Sequence, residues 1–114
     1  MMIKITRVHE EDYTIPSGPR AGEVIKERMG YSVARASIQK DGSIMLVEVQ
    51  VEENYRGQGI ATELLKELVK KAGRPVTTSR LFSDSGKALM ESLVRKGFAD
   101  RVDSDDYKIH MEVV

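Results

Sequence analysis

Val49-Gln50-Val51-Glu52-Glu53-Asn54-Tyr55-Arg56-Gly57-Gln58-Gly59-Ile60-Ala61 reads as an apolar strand that turns on two glycines and continues directly as a helix. The first amides of a helix have no partner within it and carry partial positive charge, and flanking glycines let a ligand approach the backbone closely. Such a junction suits a phosphate group.

The strand leading into the turn, residues 44–51, is apolar at Ile44, Met45, Leu46, Val47, Val49 and Val51. Only Glu48 and Gln50 interrupt it, a pattern that belongs in the centre of a sheet. The helix leaving the turn, residues 57–72, carries a stripe of Ile60, Leu64, Leu65, Leu68, Val69 and Ala72. Lys70 and Lys71 suit its negative end, Gly73 can close it, and Pro75 blocks continuation.

Upstream, residues 31–39 read as a strand joined to 44–51 through the hairpin signal Asp41-Gly42, and residues 2–8 alternate around Ile3 and Ile5 as a first strand. Residues 16–19 are loop chemistry. Ala21, Ile25 and Met29 recur at helical spacing, so residues 21–29 read as a short helix, with irregular or extended chain as the alternative. Downstream, residues 76–82 form a strand, and Ser83 or Asp84 caps a second helix that turns Ala88, Leu89, Leu93 and Val94 inward before Gly97 ends it. Residues 98–102 and 107–113 are then two strands around Asp103-Ser104-Asp105-Asp106. This order predicts an α+β fold: a mixed, mostly antiparallel central sheet with a β-α-β-α core and a C-terminal strand pair.

The chain's 114 residues are expected to form a single domain, 1–114. Eighteen basic and eighteen acidic residues cancel, giving no general attraction to nucleic acid or an anionic membrane. Cysteine is absent, and only His9 and His110 could supply imidazole, so no metal site is expected. Without a signal-like N-terminus or a long apolar run, a cytoplasmic location is the default expectation.

Neither common phosphate fingerprint fits. Around Gly86-Lys87 a P-loop would need glycine at Leu81 and a hydroxyl at Ala88, and a dinucleotide fingerprint would need glycine at Thr62. Arg56-Gly57-Gln58-Gly59-Ile60-Ala61 instead matches Gln/Arg-x-x-Gly-x-Gly/Ala, the signature of the GNAT superfamily of acyl-CoA-dependent N-acetyltransferases. The Val-x-Val before it, Tyr55-Arg56-Gly57, Leu64-Leu65 and Lys96-Gly97-Phe98 also resemble that family, whose element order is similar over roughly residues 31–102.

The resemblance implies acetyl-CoA as cofactor, leaving as coenzyme A, and a primary amine as acceptor, either a small molecule or a protein or peptide. It assigns the backbone amides of Arg56, Gly57, Gln58, Gly59, Ile60, Ala61 and Thr62 to the pyrophosphate. Val49, Gln50 and Val51 fall where the main chain would meet the pantetheine arm. Arg56 either adds charge or shapes the turn, and Ser85 is a candidate for contacting the arm beside its role near a helix cap. Where members usually build an acceptor wall from helices, residues 10–30 are short and poorly patterned. That implies an open acceptor site or one completed by a second subunit, as in a homodimer. A non-catalytic acyl-CoA-binding module is the competing implication.

Acetylating a lysine-like amine of pKa about 10.4 requires removing a proton, at a cost of roughly 4–5 kcal/mol near neutrality. A base, a water relay or a less basic amine must meet that requirement. Glu48 is the first candidate base, since it interrupts the apolar strand near the expected thioester; pairing with a neighbour is its ordinary alternative. Glu52 and His110 rank behind it as residues of a solvated loop and a polar strand face. The resemblance places an acidic tyrosine four residues before the Gly-Phe pair, where this chain has Leu93. Tyr107, Ser83, Ser85 or water are the candidate replacements.

Overall fold

The computed structural model describes residues 1–78, 84–103 and 106–111. A six-stranded sheet runs in the order β1-β2-β3-β4-β6-β5, with β1 Met2–Thr14, β2 Val24–Ile38, β3 Ile44–Gln50, β4 Val76–Thr78, β5 Ala99–Arg101 and β6 Tyr107–Ile109. Helix α1, Ile60–Ala72, crosses from β3 to β4, the one parallel pair, and α2, Asp84–Arg95, precedes β5. All other neighbouring strands are antiparallel. The expected α+β architecture and its C-terminal strand pair are therefore present.

The apolar stripe of α1 forms as its spacing predicts. Leu64, Leu65 and Leu68 are fully buried in one cluster with Ala34 and Ala36 of β2, Ile44, Val76, Tyr107, Ile109, and Met90 and Leu93 of α2. The small side chains of β2 leave room on the sheet for the leucines of the helix. Gly73 closes α1 by donating its N–H to the Val69 carbonyl. At the end of α2, Gly97 donates to Val94 and Phe98 to Leu93, a Schellman closure. Within α2, Met90 takes a core position and Ala88 is exposed, the reverse of the expected inward set at those positions.

The helix expected over residues 21–29 is not formed. β1 and β2 instead continue past His9 as a ribbon of exposed residues, pairing Glu10 with Arg28, Glu11 with Glu27, Asp12 with Lys26, Tyr13 with Ile25 and Thr14 with Val24. Ladder hydrogen bonds satisfy this backbone, and cross-strand charges hold it: Lys26 Nζ lies 2.5 Å from Asp12 Oδ1. That contact raises the Lys26 pKa through its hydrogen bond to the carboxylate. A register shift between His9 and Glu10 leaves Met29 without a cross-strand partner. The Asp41-Gly42 hairpin forms as expected, with Gln39 accepting from Gly42 and donating to Ser43.

Other differences are at boundaries. α1 begins at Ile60 behind an N-cap at Gly59, three residues later than expected. β6 ends at Ile109, and the amides of His110 and Met111 both donate to the Phe98 carbonyl. Residues 79–82 of the expected strand, Ser83, the turn residues Ser104 and Asp105, and the end of the last strand after Met111 lie outside the described residues. No helix among the described residues is long and apolar enough to cross a membrane.

Because Leu68 is fully buried at the centre of this cluster, Leu68→Ala should destabilise the fold by about 2–5 kcal/mol. Urea denaturation would show this as a lower midpoint at unchanged slope.

Candidate active site

Among the described residues, β4 pairs with β3 at Val76 with Ile44 and Thr77 with Met45, and Thr78 pairs with Tyr107 of β6. On its other side β3 stays paired to β2 as far as Gln50. A bulge at Val47 lies between the Glu48–Arg35 and Leu46–Ala36 pairs. The end of β3 borders a cleft.

That cleft has a volume of about 400 Å³, within the range of small-molecule sites. Val49, Gln50 and Val51 form one wall, and Ser85, Gly86 and Leu89 of α2 line it as well. Tyr55, Arg56, Gly57, Gly59, Ile60, Ala61 and Thr62 complete it at the start of α1. The structure thus gathers the strand end, the glycine turn and Ser85 around one space. Gln58 is exposed and does not line it. Val49 and Val51 also pack their side chains against the core. Tyr55, Gly86 and Leu89 were not assigned to the site from the sequence. Gly86 and Leu89 share a helix face by their three-residue spacing, but only the packing of α2 reveals which way it points.

Three features fit the cleft to a diphosphate. Gly59 caps α1 in the left-handed region, φ +78°, and no side chain hydrogen-bonds the helix start. The amides of the first turn have no partner within the helix. A Cβ built on Gly57 or Gly59 would meet nothing within 4 Å, so open space stands where a side chain would project. Arg56 fastens the turn by donating from Nε to the Val51 carbonyl at 3.2 Å. Of the two roles open to it, shaping is the one seen.

Of the candidate proton-transfer groups, Ser85 lines the cleft and the other described ones lie elsewhere. Glu48 does not line the cleft, and Arg35 donates to its Oε2 from Nε at 2.7 Å and ion-pairs through Nη2 at 2.6 Å. Tyr107 is fully buried outside the cleft and donates its hydroxyl to Glu91 Oε1 at 2.5 Å. Arg101 ion-pairs with the other oxygen of Glu91. The Tyr107 hydrogen bond, then Arg101, holds the Glu91 carboxyl below its ordinary range, and the same bond raises the Tyr107 phenol. His110, expected on an exposed face, is largely covered, with its Nε2 3.5 Å from Asp100 Oδ2. Glu52 is half-buried, its N–H donating to Ser32 Oγ at 2.9 Å. Leu93 is fully buried in the core.

Comparison with known families agrees with this geometry. The model of the Acetyltransferase (GNAT) family matches residues 7–88. The chain belongs to the GNAT family. Neither the curated proteins nor the solved structures compared with it yield a match. The family match runs from β1 through the glycine turn into α2, so it contains every residue described as lining the cleft except Leu89. Membership supports acyl-CoA-dependent acetyl transfer in general.

The Glu91–Tyr107 bond predicts a pH profile for stability. Glu91 has a folded pKa below its ordinary value of 4.5, so its contribution is present above that pH and is lost as pH falls through the folded value. Tyr107 has a folded pKa above 10.0, so its contribution is present below that pH and is lost as pH rises through the folded value. The hydrogen bond between them is the largest cause of both shifts, with Arg101 adding to that of Glu91. Tyr107→Phe should therefore lower the melting temperature between these limits and flatten the profile at both ends, as followed by thermal melts across pH.

Proposed function

We propose that this GNAT-family protein is an N-acetyltransferase that moves an acetyl group from acetyl-CoA to a primary amine by direct transfer. The reading is carried by a single observation: the start of α1, which no side chain caps, and the end of β3 border the same cleft. Backbone amides of residues 56–62 hold the diphosphate there, including that of Gln58, whose role is through its main chain. The edge at Val49, Gln50 and Val51 orients the pantetheine arm, and Ser85 bounds it across the cleft. Acetyl-CoA, when bound, supplies the acyl group as an activated thioester. A backbone N–H on the side of β3 facing away from β2 is the donor suited to polarise its carbonyl.

Water as base, with water or the Ser85 hydroxyl as acid, suits this arrangement, because Glu48 is engaged by Arg35 and Tyr107 by Glu91 while Ser85 lines the cleft. A positioned general base typically contributes 10²–10⁴-fold. Glu48→Gln should accordingly keep turnover within about threefold at saturating amine, whereas a loss of a hundredfold would assign the base to Glu48. The acceptor is either a small amine or the chain end or side chain of a protein. An open acceptor side is favoured by the β ribbon that occupies residues 10–30 where a wall of helices was the family expectation.

A second reading is a non-catalytic acyl-CoA-binding module. It draws support from the buried Leu93 and from the engagement of Glu48 and Tyr107 outside the cleft. Calorimetry with acetyl-CoA followed by thiol release across a panel of amines separates the two readings: amine-dependent release selects the enzyme, and binding without release selects the module. Gly59→Glu, which places a carboxylate in the open space beside the turn, should abolish acetyl-CoA binding in the same calorimetry. Unchanged affinity would remove the assigned site.

A further inference from the structure

We infer that His9 and Glu11 of the β1–β2 hairpin are positioning residues for the coenzyme-binding turn, acting through Tyr55. The inference rests on the acetyl-CoA assignment proposed for the cleft. Tyr55 is the one aromatic residue among the described residues that line it, and it immediately precedes Arg56 and Gly57. Its ring lies flat on His9, with centroids 4.0 Å apart and planes 9° from parallel. Its hydroxyl donates to Glu11 Oε1 at 2.7 Å.

His9 is itself fixed. It is 6% exposed, and its Nε2 lies 2.6 Å from Ser32 Oγ. The same Ser32 oxygen accepts the Glu52 N–H. Gly30 completes the fit. It sits at φ +125°, and a Cβ there would come within 2.7 Å of Glu52 Oε2. His9, Glu11, Gly30 and Ser32 of the hairpin thus meet both ends of the segment 52–55.

The turn needs such a brace because it has little of its own. Gly57 and Gly59 are the most freely rotating residue type, and no side chain caps α1. Packing of Ile60 and Leu64 in the core holds the far side of the turn. Tyr55 holds the near side. Amides that are not held in advance must be ordered when the ligand binds, and that cost weakens affinity.

The test compares His9→Ala, Tyr55→Ala and Tyr55→Phe with the wild type, using calorimetry with coenzyme A and amide hydrogen exchange of the free protein. Loss of the stacked pair should weaken coenzyme A binding about three- to tenfold in both alanine variants. Amides of residues 56–61 should exchange faster while those of 64–72 do not change. Tyr55→Phe, which keeps the stack, should lose less than Tyr55→Ala. If His9→Ala does not fold, Tyr55→Ala, at a half-buried surface position, gives the same readouts. Alanine variants that bind within about twofold of a binding-competent wild type overturn the inference alone. So does a loss of affinity without faster exchange at 56–61. A wild type that binds no coenzyme A overturns the cleft assignment and this inference with it.

Discussion

The site depends on where β3 ends. Val49 and Gln50 of that strand, with Val51 after it, border the cleft, and the described pairing of β3 to β4 covers Ile44 and Met45. Thr78, at the end of β4, pairs with Tyr107 of β6. Backbone groups inside a protein are costly unless something pairs with them, so a strand end beside a cleft suits a ligand. α1 covers the sheet with Leu64, Leu65 and Leu68. Met90 and Leu93 bring α2 into the same cluster.

Local sequence made the glycine turn and both helices legible because each depends on near neighbours. The stripe Ile60, Leu64, Leu65 and Leu68 repeats at helical spacing, and Gly73 and Gly97 stand where the helices close. The ribbon was not legible. Its outer half is exposed on both strands, so it lacks the apolar-polar alternation that marks a half-buried strand. What supports it is complementarity between Glu10 and Arg28 and between Asp12 and Lys26, which becomes visible only once the register is known. Ala21, Ile25 and Met29 meanwhile mimic a helical repeat.

The candidate site divides along the same line. Residues that act through their backbone, such as Gly59 and Val51, follow from the turn and strand they belong to. Side chains assigned to proton transfer require knowledge of their partners. Glu48 interrupts an apolar strand because Arg35 stands opposite it in β2, and Tyr107 alternates inward because Glu91 of α2 receives its hydroxyl. Tyr55 carries no assignable role in the sequence because its two partners lie more than forty residues away in β1.

Leu93 sets the cost of one substitution. It belongs to the buried cluster that also holds Leu64, Leu68 and Tyr107, and it has no exposed surface. A phenol at that position would push a ring into close-packed space and leave its oxygen in need of a partner. Grafting a tyrosine there to supply an acid would therefore demand compensating changes in the neighbours, not one exchange alone.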